Sequence, residues 1–204
     1  MKQTPKQTPT VFVVDDDPSI RFAMQALMDS VDLDHEIYGS ADEFLENVDE
    51  QRPGCLVLDI RMPGLGGLEL QEELIKRGNT VPIIFITGHG DVPMAVDAMQ
   101  KGAVDFIQKP FRDQDLLDRV REALSTDEER RAEQQQHAEV ADRLARLTNR
   151  EREVFDLVVT GKPNKVIAYE LGVSQRTVEI HRARVMEKMQ ARSLADLVKM
   201  HMNA

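Results

Sequence analysis

Residues 54 to 64 read Gly54-Cys55-Leu56-Val57-Leu58-Asp59-Ile60-Arg61-Met62-Pro63-Gly64, and the first half of the chain is organised around them. Four consecutive apolar residues lie between a glycine and a Pro-Gly turn, a pattern typical of a strand buried on both faces of a parallel sheet. Asp59 falls where that strand should end. Ligands of open α/β sheets bind beyond the carboxyl ends of the strands, so Asp59 is a candidate site residue. An aspartate can also simply stabilise a turn, and this stretch alone leaves both interpretations open.

Three further apolar runs end in polar side chains that complement Asp59. They are residues 10–14 before Asp15, Asp16 and Asp17, residues 81–86 before Thr87, and residues 103–107 before Gln108 and Lys109. Parallel strands of one sheet end at the same edge, so we expect these side chains to lie close together. Phosphoryl transfer needs this set of groups: an anionic nucleophile, ligands for a cation, a hydroxyl donor and a compact positive charge.

The strand-end motifs resemble the receiver domain of two-component response regulators, of the FixJ/NarL type, over about residues 8 to 125. The resemblance rests on Val13-Val14-Asp15-Asp16-Asp17, Leu58-Asp59-Ile60-Arg61-Met62-Pro63-Gly64, Thr87 and Lys109-Pro110-Phe111. It implies a five-stranded parallel sheet in the order 2-1-3-4-5 with helices on both faces. The alternation of strand and helix patterns by itself predicts a parallel sheet with right-handed crossovers.

Roles for individual residues follow from the same resemblance. It implies that Asp59 is the phosphoacceptor, that Thr87 and Lys109 contact the phosphoryl group, and that Thr87 and Phe106 form the switch. It implies a cis peptide bond between Lys109 and Pro110, which directs the lysine into the site. It also implies a Mg²⁺ site whose ligands are Asp15, Asp16, Asp59 and the backbone carbonyl of Arg61.

Three features near these motifs have simpler explanations. Asp17 followed by Pro18 predicts the start of a helix over residues 18–30. Its expected buried stripe is Ile20, Ala23, Met24, Ala26, Leu27 and Val31. The glycines at 64, 66 and 67 do not have the spacing of a phosphate-binding loop and are interpreted as turn residues. His89 is assigned no role; were it functional, it would modulate the access of water to an acyl phosphate.

Composition places few restrictions on a chain of 204 residues, of which 41% are hydrophobic and 30% charged. No stretch approaches the ~20 uncharged apolar residues that a membrane-spanning helix needs. Residues 1–8 lack the apolar segment of a signal peptide and are expected to form a flexible tail. Cys55 is the only cysteine and lies inside a predicted strand, so we expect a reduced core thiol. These features predict a cytoplasmic protein.

The net charge of −10 conceals an asymmetry between the two parts of the chain. Residues 145–204 contain 11 Lys and Arg against 7 Asp and Glu, whereas residues 1–144 contain 15 against 29. A balance of +4 beside one of −14 indicates that only the C-terminal part approaches a polyanion such as DNA.

A helix-friendly segment without glycine or proline connects the two parts, from Arg112 to about Arg146. Its portion over residues 125–137 is almost wholly polar, which fits either a solvated helix or a loose tether. We favour one long helix that extends the last receiver helix, with Val140, Leu144 and Leu147 in contact with the second domain.

The C-terminal part is predicted to contain four short helices. Thr148 and Glu151 have the spacing of a capping box at the start of the first. The second should end at Gly172 and the third should begin after Ser174, which together form a helix-turn-helix. Helix pairs joined by a glycine turn are common, so this signal alone is of moderate specificity.

Residues 147–154 and 175–183 strongly resemble the LuxR-type DNA-binding domain. That resemblance implies contacts to base edges from Gln175, Thr177, Glu179, Ile180 and Ala183. Phosphate contacts are expected from Lys165, Arg176, Arg182 and Lys188, and Ser174 belongs to the same surface. A solvated position is an equally good interpretation of Lys188. The fourth helix, residues 193–201, pairs two subunits in this family.

These observations predict a phosphorylation-dependent transcriptional regulator of a bacterial two-component system. Its expected parts are a tail (1–8), a receiver (9–125), a helical linker (126–145) and a LuxR-type domain (146–204). Expected partners are a sensor histidine kinase, double-stranded DNA and a second copy of the chain after phosphorylation, with RNA polymerase as a further candidate. Two receivers are expected to pair through a face that includes Met94, Ala98, Lys101 and Val104.

Two alternatives remain at this stage. Asp15-Asp16-Asp17 also fits the D-x-D pattern of haloacid-dehalogenase-type phosphohydrolases, in which Lys109 could serve as well. Such an enzyme needs neither Asp59 nor a DNA-binding domain, so we expect the chain not to be an enzyme. A receiver that works without phosphorylation is the other alternative, and the intact acidic set argues against it.

Overall fold

The computed structural model describes residues 8–49, 52–88 and 92–202. Within it the chain forms two compact units, Met1–Arg131 and Ala132–Ala204. The predicted tail, apart from Thr8, and His89 lie outside the described residues.

The first unit alternates strands and helices. Its strands are β1 (Thr10–Val14), β2 (His35–Tyr38), β3 (Gly54–Asp59), β4 (Ile83–Thr87) and β5 (Asp105–Gln108). Its helices are α1 (Pro18–Ser30), α2 (Ala41–Asn47), α3 (Gly67–Lys76), α4 (Val92–Gln100) and α5, which runs over Asp113–Ala145 into the second unit. All strand pairs are parallel and the order is β2-β1-β3-β4-β5, so the predicted sheet is confirmed.

Alternate residues of the central strands supply a separate core on each face of the sheet. On one face Phe12, Leu56 and Phe85 pack with side chains of α2, α3 and α4. On the other, Val13 and Val57 pack with side chains of α1 and α5. Because both faces are covered, the central strands are continuous apolar runs, as a parallel sheet requires.

Helix α1 begins as predicted, since the Asp17 side chain accepts a hydrogen bond from the Ser19 amide and Pro18 is its first residue. The predicted apolar stripe is partly wrong. Met24 is buried as expected, but Ala23 and Ala26 are exposed. Met28, which the stripe omitted, is fully buried one turn after Met24, because residues four apart share a face of the helix.

The second unit contains helices α6 (Asn149–Val159), α7 (Asn164–Leu171), α8 (Gln175–Met189) and α9 (Leu194–Met202). The predicted capping box is present, since the Thr148 and Glu151 side chains each accept from the other's backbone amide. Gly172 ends α7 in the left-handed conformation and Ser174 caps α8, which gives the predicted helix-turn-helix. None of the helices in the described ranges is long and apolar enough to cross a membrane.

Candidate functional site

The predicted acidic residues and lysine meet at the carboxyl ends of β1, β3 and β5. Val14 lies opposite Leu58 in the sheet, so Asp15 and Asp59, the next residue of each segment, come side by side. The Lys109 ammonium donates to Asp59 Oδ1 at 2.6 Å and to Asp15 Oδ2 at 2.9 Å. The Lys109–Pro110 peptide bond is cis, as the resemblance implied. One cation therefore bridges two neighbouring carboxylates.

Backbone groups fix the second oxygen of each carboxylate. The Arg61 amide donates to Asp59 Oδ2 at 2.7 Å, and the Asp17 amide donates to Asp15 Oδ1 at 2.9 Å. Helix α3 begins directly beneath Asp59, where a Cβ on Gly67 would lie 2.2 Å from the Asp59 carbonyl oxygen. The glycine at position 67 is therefore required by this close approach rather than by phosphate binding.

The charges of Asp15, Asp59 and Lys109 affect one another's pKa values. Burial raises the pKa of the Asp59 carboxyl above its usual value, because desolvation outweighs the hydrogen bond and positive charge of Lys109, and Asp15 adds to the rise. Burial opposes the charge of Lys109, but its hydrogen bonds to Asp59 and Asp15 outweigh that cost and raise the pKa of the ammonium. The lysine is therefore a permanent cation at neutral pH.

A cavity of about 300 Å³ opens over these groups and is lined by Asp15, Asp16, Asp17, Asp59, Arg61, Gly88 and Lys109. Carboxylate and carbonyl oxygens are the ligands that Mg²⁺ prefers, so the donor set fits this cation. Within the described part of the chain, no three His, Cys, Asp or Glu side chains converge as a ready metal site. Instead Asp15 and Asp59 face Lys109, while Asp16 is exposed beside the cavity.

The two predicted switch residues lie on neighbouring strands. Thr87 ends β4 with its side chain buried, and its hydroxyl donates to the Gly88 carbonyl at 3.3 Å. Phe106 lies on β5 opposite Phe85 and is 37% exposed, so its ring faces outward. Neither side chain lines the cavity over Asp59.

The sequence interpretation missed one residue of this site. The guanidinium of Arg21, on α1, donates to the Asp15 carbonyl at 2.7 Å and supports the backbone that carries the acidic residues. An arginine on the second turn of a helix has no motif that distinguishes it from a solvated surface residue. Its role is visible only because α1 folds back over the end of β1.

The predicted DNA-contacting residues lie largely on one exposed face of α8. Gln175, Arg176, Glu179, Ile180 and Ala183 are all exposed, at the spacing of one side of a helix. Val178, Val185 and Met189 cover the opposite side of α8 and are fully buried in the core of the second unit. Lys165, on α7, and Ser174, the cap of α8, are exposed, and Thr177 is half-buried.

Several of these side chains form hydrogen bonds within the domain. Thr177 shares a hydrogen bond of 2.8 Å with Ser174, and Arg182 donates to Asn164 at 3.0 Å, which joins α8 to α7. Lys188 donates to the buried Glu151 carboxylate at 2.5 Å and to the Arg146 carbonyl. Lys188 is therefore bonded within the domain, and its contact with a DNA phosphate stays a prediction.

Glu151 gives the second unit a defined response to acid. The hydrogen bond from Lys188, with one from the Thr148 backbone, lowers the pKa of the Glu151 carboxyl to about 2 from a usual 4.5. Since the folded state holds this group ionised, its stabilising contribution is full above pH 4.5 and is lost as the pH falls towards 2.

We expect Glu151→Gln to destabilise the second unit at pH 7 by roughly 1–3 kcal/mol, because the Lys188 ammonium then donates to a neutral amide oxygen and not to a carboxylate. The difference from the wild type should shrink between pH 4.5 and pH 2. Urea unfolding read by hydrogen exchange in α6 and α8 measures both effects. Glu187→Gln, an exposed carboxylate on α8, is the control. Equal pH dependence in both variants would contradict the assignment.

Two families match the chain, one for each unit. Residues 11–121 match the response regulator receiver domain, and residues 145–201 match the bacterial regulatory proteins of the luxR family. Nodulation protein W of Bradyrhizobium diazoefficiens is 51% identical over 93% of this chain and 84% of its own length. The transcriptional regulatory protein FixJ of Azorhizobium caulinodans is 46% identical over 93% of this chain and 90% of its own.

Solved structures agree with these relatives. The response regulator StyR matches with a TM-score of 0.90 and 44% identity, over 97% of this chain and 100% of that one. Full-length FixJ from B. japonicum matches with a TM-score of 0.61 and 40% identity, over 97% of each chain. The strand-end chemistry, the helix-turn-helix and these matches agree, and the chain therefore belongs to the two-component response regulators that join a receiver domain to a LuxR-type DNA-binding domain, as a FixJ-like transcriptional regulator.

Proposed function

We propose that Asp59 accepts a phosphoryl group from a sensor histidine kinase and that this controls DNA binding by α8. The observation that supports this most directly is the Lys109 ammonium held between the Asp59 and Asp15 carboxylates. The proposal is tested by incubating the protein with acetyl phosphate and Mg²⁺ and then measuring its mass and its affinity for DNA. The proposal would be contradicted if the protein gained no phosphoryl group, or if its affinity for DNA did not change on phosphorylation.

Each residue at the strand ends has a distinct task in this reaction. Asp59 supplies the nucleophilic oxygen, and the Arg61 amide orients it through Oδ2. Lys109, already bonded to Asp59, neutralises the oxygens of the incoming anion. Receiver domains bind Mg²⁺ at this site, and here Asp15, Asp16, Asp59 and the Arg61 carbonyl would hold it. When bound, the cation lowers the charge repulsion between the carboxylate and the transferred group.

The effect of phosphorylation on the receiver surface would be transmitted by movements of Thr87 and Phe106. A phosphoryl group on Asp59 offers a stronger acceptor to the Thr87 hydroxyl than the Gly88 carbonyl does. Movement of Thr87 leaves space that the outward-facing Phe106 ring can enter. The consequence is a change on the surface formed by α4 and β5.

That surface is where we propose that two receivers pair, with one correction to the expected face. Ala98 is fully buried against the sheet and so is unavailable to a partner. Lys101 is bonded to Glu72 and Asp97, both at 2.8 Å. The exposed apolar side chains here are Val96, Met99 and Phe106, at 48%, 38% and 37%. They would be covered in the phosphorylated homodimer, which brings two DNA-binding domains together.

We expect Asp16→Ala to weaken Mg²⁺ binding by about an order of magnitude, because the cation loses a charged ligand. The mutant should also show unchanged or greater stability, since three consecutive acids repel one another. Calorimetric titration with Mg²⁺ measures the affinity. Asp17→Asn is the control, since Asp17 lines the same cavity but caps α1. Unchanged affinity in Asp16→Ala would count against the ligand role.

In the second unit we propose that Gln175, Glu179, Ile180 and Ala183 reach base edges in the major groove, with Thr177 and Ser174 at the start of the same helix. Lys165, Arg176 and Arg182 would contact phosphates, which position the helix without specifying sequence. RNA polymerase is the further partner that this role as a regulator would engage.

We expect Arg176→Ala to weaken binding to operator and non-operator DNA by the same factor. The salt dependence of the binding constant should fall by about one charge per subunit, because one phosphate contact is lost. Fluorescence anisotropy at several salt concentrations measures the slope. Arg192→Ala removes the same charge outside α7 and α8 and should leave the slope unchanged. A loss confined to operator DNA would instead place Arg176 at a base edge.

A further inference from the structure

The part of α5 that follows the last apolar stripe of the receiver carries a buried carboxylate. Asp127 is 1% exposed, within a polar run in which Arg130 and Arg131 are half-buried and the other residues from 125 to 139 are exposed. Its Oδ2 accepts from the Gly54 amide at 3.0 Å and from Arg131 Nε at 2.6 Å. Its Oδ1 accepts from Arg130 Nη2. Both carboxylate oxygens are therefore satisfied, one of them by the backbone at the start of β3.

The two arginines extend these contacts to the sheet. Arg131 Nη2 donates to the Arg52 carbonyl at 2.6 Å, just before β3. Arg130 Nη1 donates to the Thr80 carbonyl, shortly before β4. We call Asp127, Arg130 and Arg131 the Asp127 cluster. It joins α5 to the amino ends of the two strands whose carboxyl ends carry Asp59 and Thr87.

Gly54 lies tightly against β1 at the start of β3 and directs its amide to α5. Gly54 has φ of 156°, and a Cβ there would lie 2.0 Å from the Thr10 carbonyl oxygen. Its amide points away from β1 to Asp127. A buried carboxylate without partners would be strongly disfavoured, so the helix keeps this position only while its donors are in place.

Beyond the Asp127 cluster the character of α5 changes. Residues 132–139 are all exposed, whereas Val140 and Leu144 are buried in the core of the second unit. Short helices that lack tertiary contacts are only marginally stable in water. Hydrogen bonds and ion pairs of Asp127 therefore stabilise residues 126–131, and packing of Val140 and Leu144 stabilises residues 140–145. Residues 132–139 share neither these contacts of Asp127 nor this packing.

We propose that the Asp127 cluster is a conformational device that makes residues 126–131 part of the receiver and confines local opening of α5 to residues 132–139. The segment that separates the two domains is then eight residues long rather than the whole polar run after Ser125. This inference does not depend on phosphorylation, because every contact it uses is present in the unmodified chain.

Hydrogen exchange of the full-length, unphosphorylated protein tests this division. In the wild type, amides of residues 128–131 should exchange at least about tenfold more slowly than those of residues 134–138. Asp127→Asn should remove most of that difference, because the neutral amide cannot accept from both arginines and Gly54. Glu129→Gln, the same chemical change at an exposed position two residues along the helix, should alter exchange by less than about twofold.

A second variant keeps the test decisive if Asp127→Asn does not fold. Arg131→Gln removes the bonds to Asp127 and Arg52 but leaves Asp127 with Arg130 and Gly54. It should accelerate exchange at residues 128–131 by at least about threefold. Equal exchange rates on the two sides of residue 132 in the wild type would overturn the proposal. So would wild-type exchange in either Asp127→Asn or Arg131→Gln.

Discussion

Asp59→Asn is expected to abolish phosphorylation of the protein while leaving the fold intact. The amide has nearly the size of the carboxylate but no nucleophilic anionic oxygen. The Arg61 amide can still donate to the asparagine carbonyl, and Lys109 keeps Asp15 as its partner. Mass spectrometry after incubation with acetyl phosphate and Mg²⁺ measures the modification, and circular dichroism checks the fold.

The control for this substitution is Asp17→Asn, which makes the same change in the same cavity. Asparagine caps helices as well as aspartate does, so α1 should be unaffected and phosphorylation should proceed normally. Phosphate uptake by Asp59→Asn at the wild-type rate would show that the acceptor lies elsewhere. Turnover of phosphate esters that depends on Asp15 rather than Asp59 would instead favour a phosphohydrolase.

Insertion of two alanines after Gln135 is expected to abolish the gain in DNA affinity on phosphorylation, without altering phosphorylation of Asp59. Residues 132–139 are part of one continuous helix, and brief local opening does not change its phase, so two added residues turn everything after them by roughly 200° about the helix axis. Residue 135 is chosen because it lies beyond the Asp127 cluster and before Val140, so both units keep their own contacts. Anisotropy with operator DNA, with and without acetyl phosphate, measures the effect.

A seven-residue helical insertion at the same place is the matched control. It adds more length than two residues but returns the helix to within about 20° of its original phase. Recovery of phosphorylation-dependent binding by seven residues, but not by two, would establish that α5 transmits rotation. If the two-residue insertion bound DNA as the wild type does, the dimerisation proposal would not be contradicted. The result would show that residues 132–139 act as a loose tether.

Local patterns were sufficient to predict the sheet and the polar side chains at its carboxyl end. Apolar runs that end in Asp15, Asp59 and Thr87 follow from the physics of a parallel sheet, which buries its strands and exposes their carboxyl ends. The caps at Asp17, Thr148 and Ser174 were also predictable, because a cap is made within three residues along the chain.

Residues whose environment is made by distant segments were not predictable in this way. Ala98 seemed available for dimerisation, but the sheet covers it. Lys188 gives no sign in the sequence of a partner, but it donates to Glu151, 37 residues away in sequence. In each case the sequence near the residue contains no sign of the partner, and the charge or size of the side chain suggests a surface role.

The sequence by itself therefore determined the families of the two domains and the meeting of Asp15, Asp59 and Lys109 at the end of the sheet, since these depend on periodicity and on short motifs. Tertiary structure decided the environment of Asp127 on α5. A run of charged residues predicts solvent on every side, yet Asp127 is buried because Gly54, 73 residues earlier, and two arginines satisfy it. Burial achieved by ion pairs leaves no apolar stripe in the sequence, and only the folded chain brings the partners together.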